Sequence, residues 1–353
     1  MARTRIIQRN KVSPPAVTSL FRLEAKTGGA GVASSHLACT PGPFRSSLLE
    51  HPCVFRHMKG MDVPDLSKEP YAVAEQISPL IRRVLAHNPS HFSYTGTQTY
   101  IVGSGEVAVI DPGPLGDDPH HVDALINILS GEKIVAIMCT HTHRDHSPAA
   151  APLKAATGAP IIGCAPLVLE DDGPRADASF DATYVPDRIL VDGDSVSGPG
   201  WTLTALATPG HTSNHLCFAL AEEKALFTGD HVMGWSTSVV SPPDGDMADY
   251  MRSLALLMER DDAVYYAAHG APIETPQRLV RGMMGHRKQR EGQILRLLEA
   301  GTGHIPDMVL SMYKGVDKRL HGAAGRSVLA HLLDLRGRGL VIGTEEAGWK
   351  LAA

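Results

Sequence analysis

The run Thr140-His141-Thr142-His143-Arg144-Asp145-His146-Ser147 places four metal-binding side chains, three imidazoles and a carboxylate, within six positions. It follows directly on the apolar stretch Ile134-Val135-Ala136-Ile137-Met138-Cys139, which reads as a strand. A strand ending in a tight loop aims alternate residues at one point and the next two at another, and imidazole with carboxylate suits zinc. Two adjacent metals and hydrolytic chemistry are therefore expected. An exposed polar turn explains one isolated histidine but not four donors at this spacing, because zinc takes three or four protein ligands at about 2 Å.

Three later segments each set a donor just beyond a short apolar run: Pro209-Gly210-His211-Thr212, Thr228-Gly229-Asp230-His231 and Ala268-His269-Gly270. HxHxDH followed by a His, an Asp and a His in that chain order resembles the metallo-β-lactamase superfamily. The resemblance implies an α/β fold, the four-layer αββα sandwich, and two zinc ions per chain. It assigns His141, His143 and His211 to the first zinc, Asp145, His146 and His269 to the second, and Asp230 to both as a bridge. Two such ions share a hydroxide and lower its pKa, with Asp145 orienting it and accepting its proton, so Asp145 and Asp230 are the expected catalytic residues.

Three other places invite two readings each. Asp111, at a strand end, either holds a ligand histidine or simply makes an Asp-Pro-Gly turn; His215 either fixes a ligand or packs in the core. Ser236-Thr237-Ser238 either lines the cleft or forms a solvated loop, the second being preferred. His231, next to Asp230, points to the other side if the strand continues and is left out of the ligand set.

Short apolar runs bounded by Gly and Pro predict strands at 99–102, 107–110, 134–139 and 160–163, with helices at 121–129 and 149–156. A second group of strands is expected at 189–191, 201–206, 215–220, 225–228 and 263–266, with a helix at 249–260. Beyond Gln277 the pattern changes to helices at 279–300, 308–313 and 325–335, followed by a β-ribbon at 337–342 and 349–351. That order predicts a winged-helix-like C-terminal domain. The expected domains are thus a disordered basic leader over 1–60, a lactamase-like domain over 61–280 and the helical domain over 281–353.

The leader holds nine Lys/Arg against Glu24 and Glu50 in a chain of net charge −5, and shows no sustained periodicity. It reads as an organelle transit peptide, as a basic arm for nucleic acid, or as sequence upstream of a true start at Met58 or Met61, the last being preferred. The expected location is cytoplasmic, or the mitochondrial matrix if the leader is a transit peptide. No stretch has the eighteen or more apolar residues of a membrane span, and no membrane partner is expected. Five scattered cysteines without a CxxC pair suggest a reducing compartment, with Cys139, Cys164 and Cys217 as buried small residues. No feature sets an oligomeric state.

Further motifs narrow the family. Thr208-Pro209-Gly210-His211-Thr212, Phe227-Thr228-Gly229-Asp230, Asp249-Tyr250-Met251-Arg252-Ser253-Leu254, His286-Arg287 and Arg290-Glu291-Gly292-Gln293-Ile294-Leu295 look like the beta-lactamase-like protein 2 group over about residues 80–353. In that group the animal member is similar to a single-strand endoribonuclease, and fungal relatives act as thioesterases releasing polyketides from carrier proteins. The sequence departs from the group at Gln98, where Asn is usual, and across residues 234–246. Asp at 230 argues against a true β-lactamase, and the short interval from Asp230 to His269 leaves no room for the inserted domain of the large nucleases.

The expected function is a dinuclear zinc hydrolase with single-stranded RNA as the favoured substrate. A thioesterase or lactonase is the enzymatic alternative, hydroxyacylglutathione hydrolase being less favoured, and a metal-bearing nucleic-acid binding module is the non-enzymatic one. From His286 onward eleven Lys/Arg oppose seven Asp/Glu, a mild surplus without an aromatic platform for stacking bases.

Overall fold

The computed structural model describes residues 65–115, 120–168 and 180–353. The leader expected over residues 1–60, with Cys39 and Cys53, lies outside the described residues. Strands β1 (Ala74–Gln76), β2 (Ile81–Leu85), β3 (Gln98–Ser104) and β4 (Glu106–Ile110) form an antiparallel meander. The chain then crosses through helix α1 (His120–Ile128), and β5 (Lys133–Met138) joins β4 in parallel. Helix α2 (Ala150–Thr157) stops at Gly158, whose left-handed φ of 73° lets its N–H close on the Lys154 carbonyl.

The short strands β6 (Ile162–Gly163) and β7 (Arg188–Ile189) pair in parallel with each other. This corrects the expectation that residues 189–191 open the second strand group. The Asp187 carboxylate accepts the Ile161 N–H at 2.8 Å and the Asp187 N–H donates to the Ile161 carbonyl at 2.7 Å, which draws this segment to β6. The second sheet starts instead at β8 (Ser195–Gly198) and continues antiparallel through β9 (Trp201–Ala207), β10 (Leu216–Leu220) and β11 (Ala225–Gly229). Helix α3 (Met247–Met258), capped by the Asp246 carboxylate on Asp249 N, leads to β12 (Val264–Ala267), parallel to β11.

The period-2 pattern of the second sheet explains the layering. Leu216, Phe218 and Leu220 face the first sheet, sharing a core with Ile81, Ile101, Ile110 and Ile137, whereas Cys217 and Leu226 face α3. Leu125 of α1 and Leu153 of α2 belong to the core of the first sheet. Tyr250, Leu254 and Leu257 of α3 cover the back of the second, so the order is helices, sheet, sheet, helices. This is the expected four-layer αββα architecture.

Helix α4 (Pro276–Glu299) serves two cores. Val280 and Met283 pack with α3, while Ile294 and Leu298 pack with α5 (Ile305–Met312), α6 (His321–Gly337) and the antiparallel ribbon β13 (Val341–Thr344) and β14 (Gly348–Leu351). Helix, helix, helix and ribbon follow the order expected for a winged helix, with α6 beginning four residues earlier than its apolar spacing indicated. Among the described residues no helix is long and apolar enough to cross a membrane. Cys139, Cys164 and Cys217 are buried free thiols.

Candidate metal centre

Both sheets deliver strand ends to one edge. In each, a parallel pair, β4 with β5 and β11 with β12, aligns two C-terminal ends, and the Gln98 N–H donates to the Ala268 carbonyl at 2.8 Å to tie the sheets together there. The loop after β5 carries His141, His143, Asp145 and His146; the β9–β10 connection carries His211; Asp230 follows β11 and His269 follows β12. All seven predicted ligands meet in two groups. His141, His143, His211 and Asp230 form one and Asp145, His146 and His269 the other, the ligand atoms within each group lying within 4.8 Å of one another.

Glycines allow the approach at two of these turns. Gly210 has φ 138°, and a Cβ on it would stand 2.3 Å from Tyr250 Cα, so the His211 loop lies directly against α3. Gly229 has φ 49°, and a Cβ there would stand 2.7 Å from both His215 Nε2 and Thr140 Oγ1.

The first group is built from three buried imidazoles. His143 Nδ1 lies 3.0 Å from His141 Nε2 and 3.0 Å from His211 Nε2. The Thr140 hydroxyl donates to Asp111 Oδ2 at 2.8 Å and so accepts from His141 Nδ1, 3.0 Å away; His211 Nδ1 donates to the Val239 carbonyl at 2.6 Å. Both Nε2 atoms are therefore left with lone pairs aimed at His143 Nδ1. One imidazole N–H satisfies at most one of them, whereas a cation satisfies all three nitrogens. Burial, reinforced by the neighbouring imidazoles, holds His141 well below the usual histidine range and His143 at about 3, which keeps these rings in the neutral form that binds metal.

The second group mixes charge. Asp111 accepts from His146 Nδ1 at 3.0 Å and from the Thr140 N–H at 2.8 Å, so it fixes a ligand histidine and the ligand loop at once, the first of its two expected readings. Buried His146 Nε2 has no hydrogen-bond partner and lies 3.4 Å from Asp145 Oδ2. His269 Nε2 lies 3.2 Å from Asp145 Oδ2 and 3.2 Å from Asp230 Oδ1, and its Nδ1 donates to the Gly96 carbonyl at 3.1 Å. Asp230 Oδ2 is 3.7 Å from both His146 Nε2 and His211 Nε2, so this carboxylate reaches both groups.

Burial opposes charge on these carboxylates, but His146 and His269 outweigh it and hold Asp145 and Asp230 well below the usual range. The same pairs overcome burial in the opposite direction for the rings, raising His269 to about 10 and His146 well above its ordinary value. Those are protons that metal binding displaces. Two imidazole-rich and carboxylate-bearing pockets side by side thus fit a pair of divalent cations.

The remaining candidates separate cleanly. His215 is buried with its ring 5.2 Å from that of His141 and its Nδ1 2.9 Å from Thr208 Oγ1, so it backs a ligand without joining either group. His231 turns into the core against Tyr250, its ring 4.8 Å away. Ser238 is buried and donates to the His231 carbonyl at 2.7 Å, which corrects the expectation of a solvated loop at that position; Ser236 and Thr237 are half-buried. Gln98 is buried, donates to the Gly270 carbonyl and accepts from Tyr100 Oη, so it braces the His269 turn. Sequence reasoning missed Gly96 and Val239, which act through backbone carbonyls that leave no side-chain signature, and Thr97, whose hydroxyl donates to Asp145 Oδ2 at 3.3 Å.

Comparison with known proteins decides the family. The family model for the metallo-beta-lactamase superfamily matches residues 94–269, which contain all seven ligands, and Lactamase-like protein adaB of Aspergillus niger is 31% identical over 266 residues, covering 70% of this chain and 78% of that protein. The chain belongs to the metallo-β-lactamase superfamily. It is also similar to the atrochrysone carboxyl ACP thioesterase of Aspergillus fumigatus, at 33% identity over 67% of this chain and 69% of that one. A crystal structure of a metallo-beta-lactamase family protein from Thermus thermophilus shares the fold, with a TM-score of 0.62 and 22% identity over 78% of this chain and 100% of that chain. The family model for the beta-lactamase associated winged helix domain matches residues 305–349, so the lactamase domain is followed by the winged helix that the element order indicated.

Proposed function

We propose that this chain is a dinuclear zinc hydrolase of acyl thioesters. The observation that carries the dinuclear reading is Asp230, whose two carboxylate oxygens reach ligand atoms of both groups. His141, His143 and His211 would hold one ion and Asp145, His146 and His269 the other, with Asp230 between them. Bound there, the pair supplies Lewis-acid polarisation of a carbonyl and water that ionises near neutrality. Imidazole nitrogens with carboxylate oxygens suit zinc among the first-row divalent ions.

Asp145 is the more exposed of the two site carboxylates, its side chain 21% accessible against 12% for Asp230. Thr97 fixes its Oδ2, and the carboxylate accepts the proton of the attacking water. Water oxygen bonds to the acyl carbon, the carbon–sulfur bond breaks, and the thiolate leaves and takes up a proton, giving a carboxylic acid and a thiol. A thiol of ordinary pKa about 8.5 departs without a strong general acid, which suits a site with a single carboxylate near solvent.

The thioesterase name of a relative that matches two thirds of the chain supports this substrate class and ranks it above the RNA phosphodiester favoured by the sequence. Basic side chains of the tail are also engaged internally. Arg338 pairs with Glu291 at 2.6 Å and Asp334 at 3.1 Å, Arg319 with Asp317 at 2.7 Å, and Arg290 stacks over Tyr313. Single-stranded RNA stays the second reading because a winged-helix domain follows the lactamase domain. Membership of the beta-lactamase-like protein 2 group is part of the same proposal. The test is a panel of an acyl thioester, a lactone, single-stranded RNA and a chromogenic β-lactam, with Asp145→Asn as the blank. Thioester turnover is expected; RNA cleavage without thioester turnover would reverse the ranking.

A further inference from the structure

His211 is fixed from a loop that the C-terminal helices hold. Its Nδ1 donates to the Val239 carbonyl at 2.6 Å, which sets the tautomer and leaves Nε2 to face the other two imidazoles of its group. The preceding carbonyl, that of Ser238, accepts from Arg287 Nη2 of α4. Three residues beyond Val239, the Pro242 carbonyl accepts from Arg326 Nη2 of α6 at 2.5 Å. The same loop is stapled to the His211 turn, with Ser213 N–H on Asp244 Oδ1 at 3.0 Å and Asp246 N–H on the Gly210 carbonyl at 3.0 Å. One stretch of chain is therefore gripped by the metal ligand on one side and by two arginines on the other.

Arg287 is committed to this place. It is only 4% exposed, its guanidinium lies 5.1 Å from the centre of the Tyr250 ring, and Tyr250 Oη donates to the His231 carbonyl, which also accepts from the Ser238 hydroxyl. A charge so deeply buried is tolerated where fixed dipoles receive it, and displacing the Ser238 carbonyl would strand it. Arg326 is anchored in turn by Glu345 at 3.3 Å, next to the winged-helix ribbon.

We infer that Arg287 and Arg326 are positioning residues for the three-imidazole metal pocket: the helical C-terminal region sets the register of the Ser238–Pro242 loop and through Val239 the orientation of His211. The inference rests on the two-metal reading above. It assigns the tail a role in metal affinity that requires no contact with substrate.

The experiment uses the full chain and cobalt(II) as the probe, read by its visible absorption and by competition with a chelator. For Arg287→Met the imidazole site should weaken by about 10- to 100-fold, the range of outer-shell partners, with a changed absorption band, while the Asp145/His146/His269 site holds its affinity. Arg287→Lys, which retains a donor towards Ser238, should recover most of the loss. Arg326→Met should shift the same site in the same direction by less, and it decides the question if Arg287→Met fails to fold. Both sites weakening together, or neither site moving in the folded variants, would overturn the inference. A wild-type chain binding fewer than two cobalt ions would refute the dinuclear reading itself, whereas two ions with unmoved variants would refute only the arginine clamp.

Discussion

The chain buries histidines in two neighbouring regions that differ in one respect. At the strand ends, five imidazoles share their space with Asp111, Asp145 and Asp230, and their nitrogens converge. Beneath them His231, His286 and His331 are also buried, but they share the field of Arg287. The consequences diverge where the carboxylates reach: His269 is raised to about 10 and His146 well above its ordinary value, whereas burial, reinforced by neighbouring imidazole and arginine charge, holds His231, His286 and His331 at about 3, as burial does His143 at the strand ends. A buried histidine is thus no signature of a metal; convergent nitrogens with an acceptor behind them are.

The largest expected break in that contrast is Asp230→Ala. Removing the carboxylate that reaches both groups should release metal and cut turnover well beyond the about 100-fold typical of outer-shell partners, measured by elemental analysis beside kcat/KM. Full turnover would end the dinuclear account. Asp145→Asn keeps the shape of its site but removes the proposed proton acceptor, and turnover should fall by about 10²-fold or more while the three-imidazole pocket still takes metal. Asp111→Asn should leave both pockets in place yet lower metal affinity by about 10- to 100-fold, because a neutral amide is a weaker acceptor for His146.

The smallest effect belongs to the lower cluster. His331 is neutral in the fold, with its ionisation depressed to about 3 against about 6.5 in the unfolded chain. Its contribution is complete above pH 6.5. As pH falls from 6.5 towards 3 the unfolded chain takes up a proton that the folded chain refuses, so stability drops by up to about 1.4 kcal/mol per pH unit from this group. His331→Leu should flatten the acid limb of a stability–pH curve and leave metal content unchanged. Loss of metal in that variant would erase the distinction between the two regions.

How much of this was legible depended on side-chain periodicity. The candidate ligand set was readable because every member is a side chain at the end of an apolar run, and the second sheet because β10 and β11 are short apolar runs, buried almost throughout. Strand β2 escaped notice since Arg82 and Arg83 interrupt its apolar pattern, and β7 was misplaced because its pairing is decided by the Asp187 carboxylate. Ser238 read as loop polarity although its hydroxyl and carbonyl are both spent inside the protein, and Arg287 read as part of a basic tail although it is buried. Contacts made by carbonyls, such as Gly96 with His269 and Val239 with His211, had no residue type to announce them.

In the proposed dinuclear centre seven side chains build two metal sites that share Asp230. Equilibrium dialysis of the full chain against zinc, followed by elemental analysis, should find two zinc ions per chain at saturation, falling below one in Asp230→Ala. One ion or none in the wild type, or two retained in the variant, would contradict it.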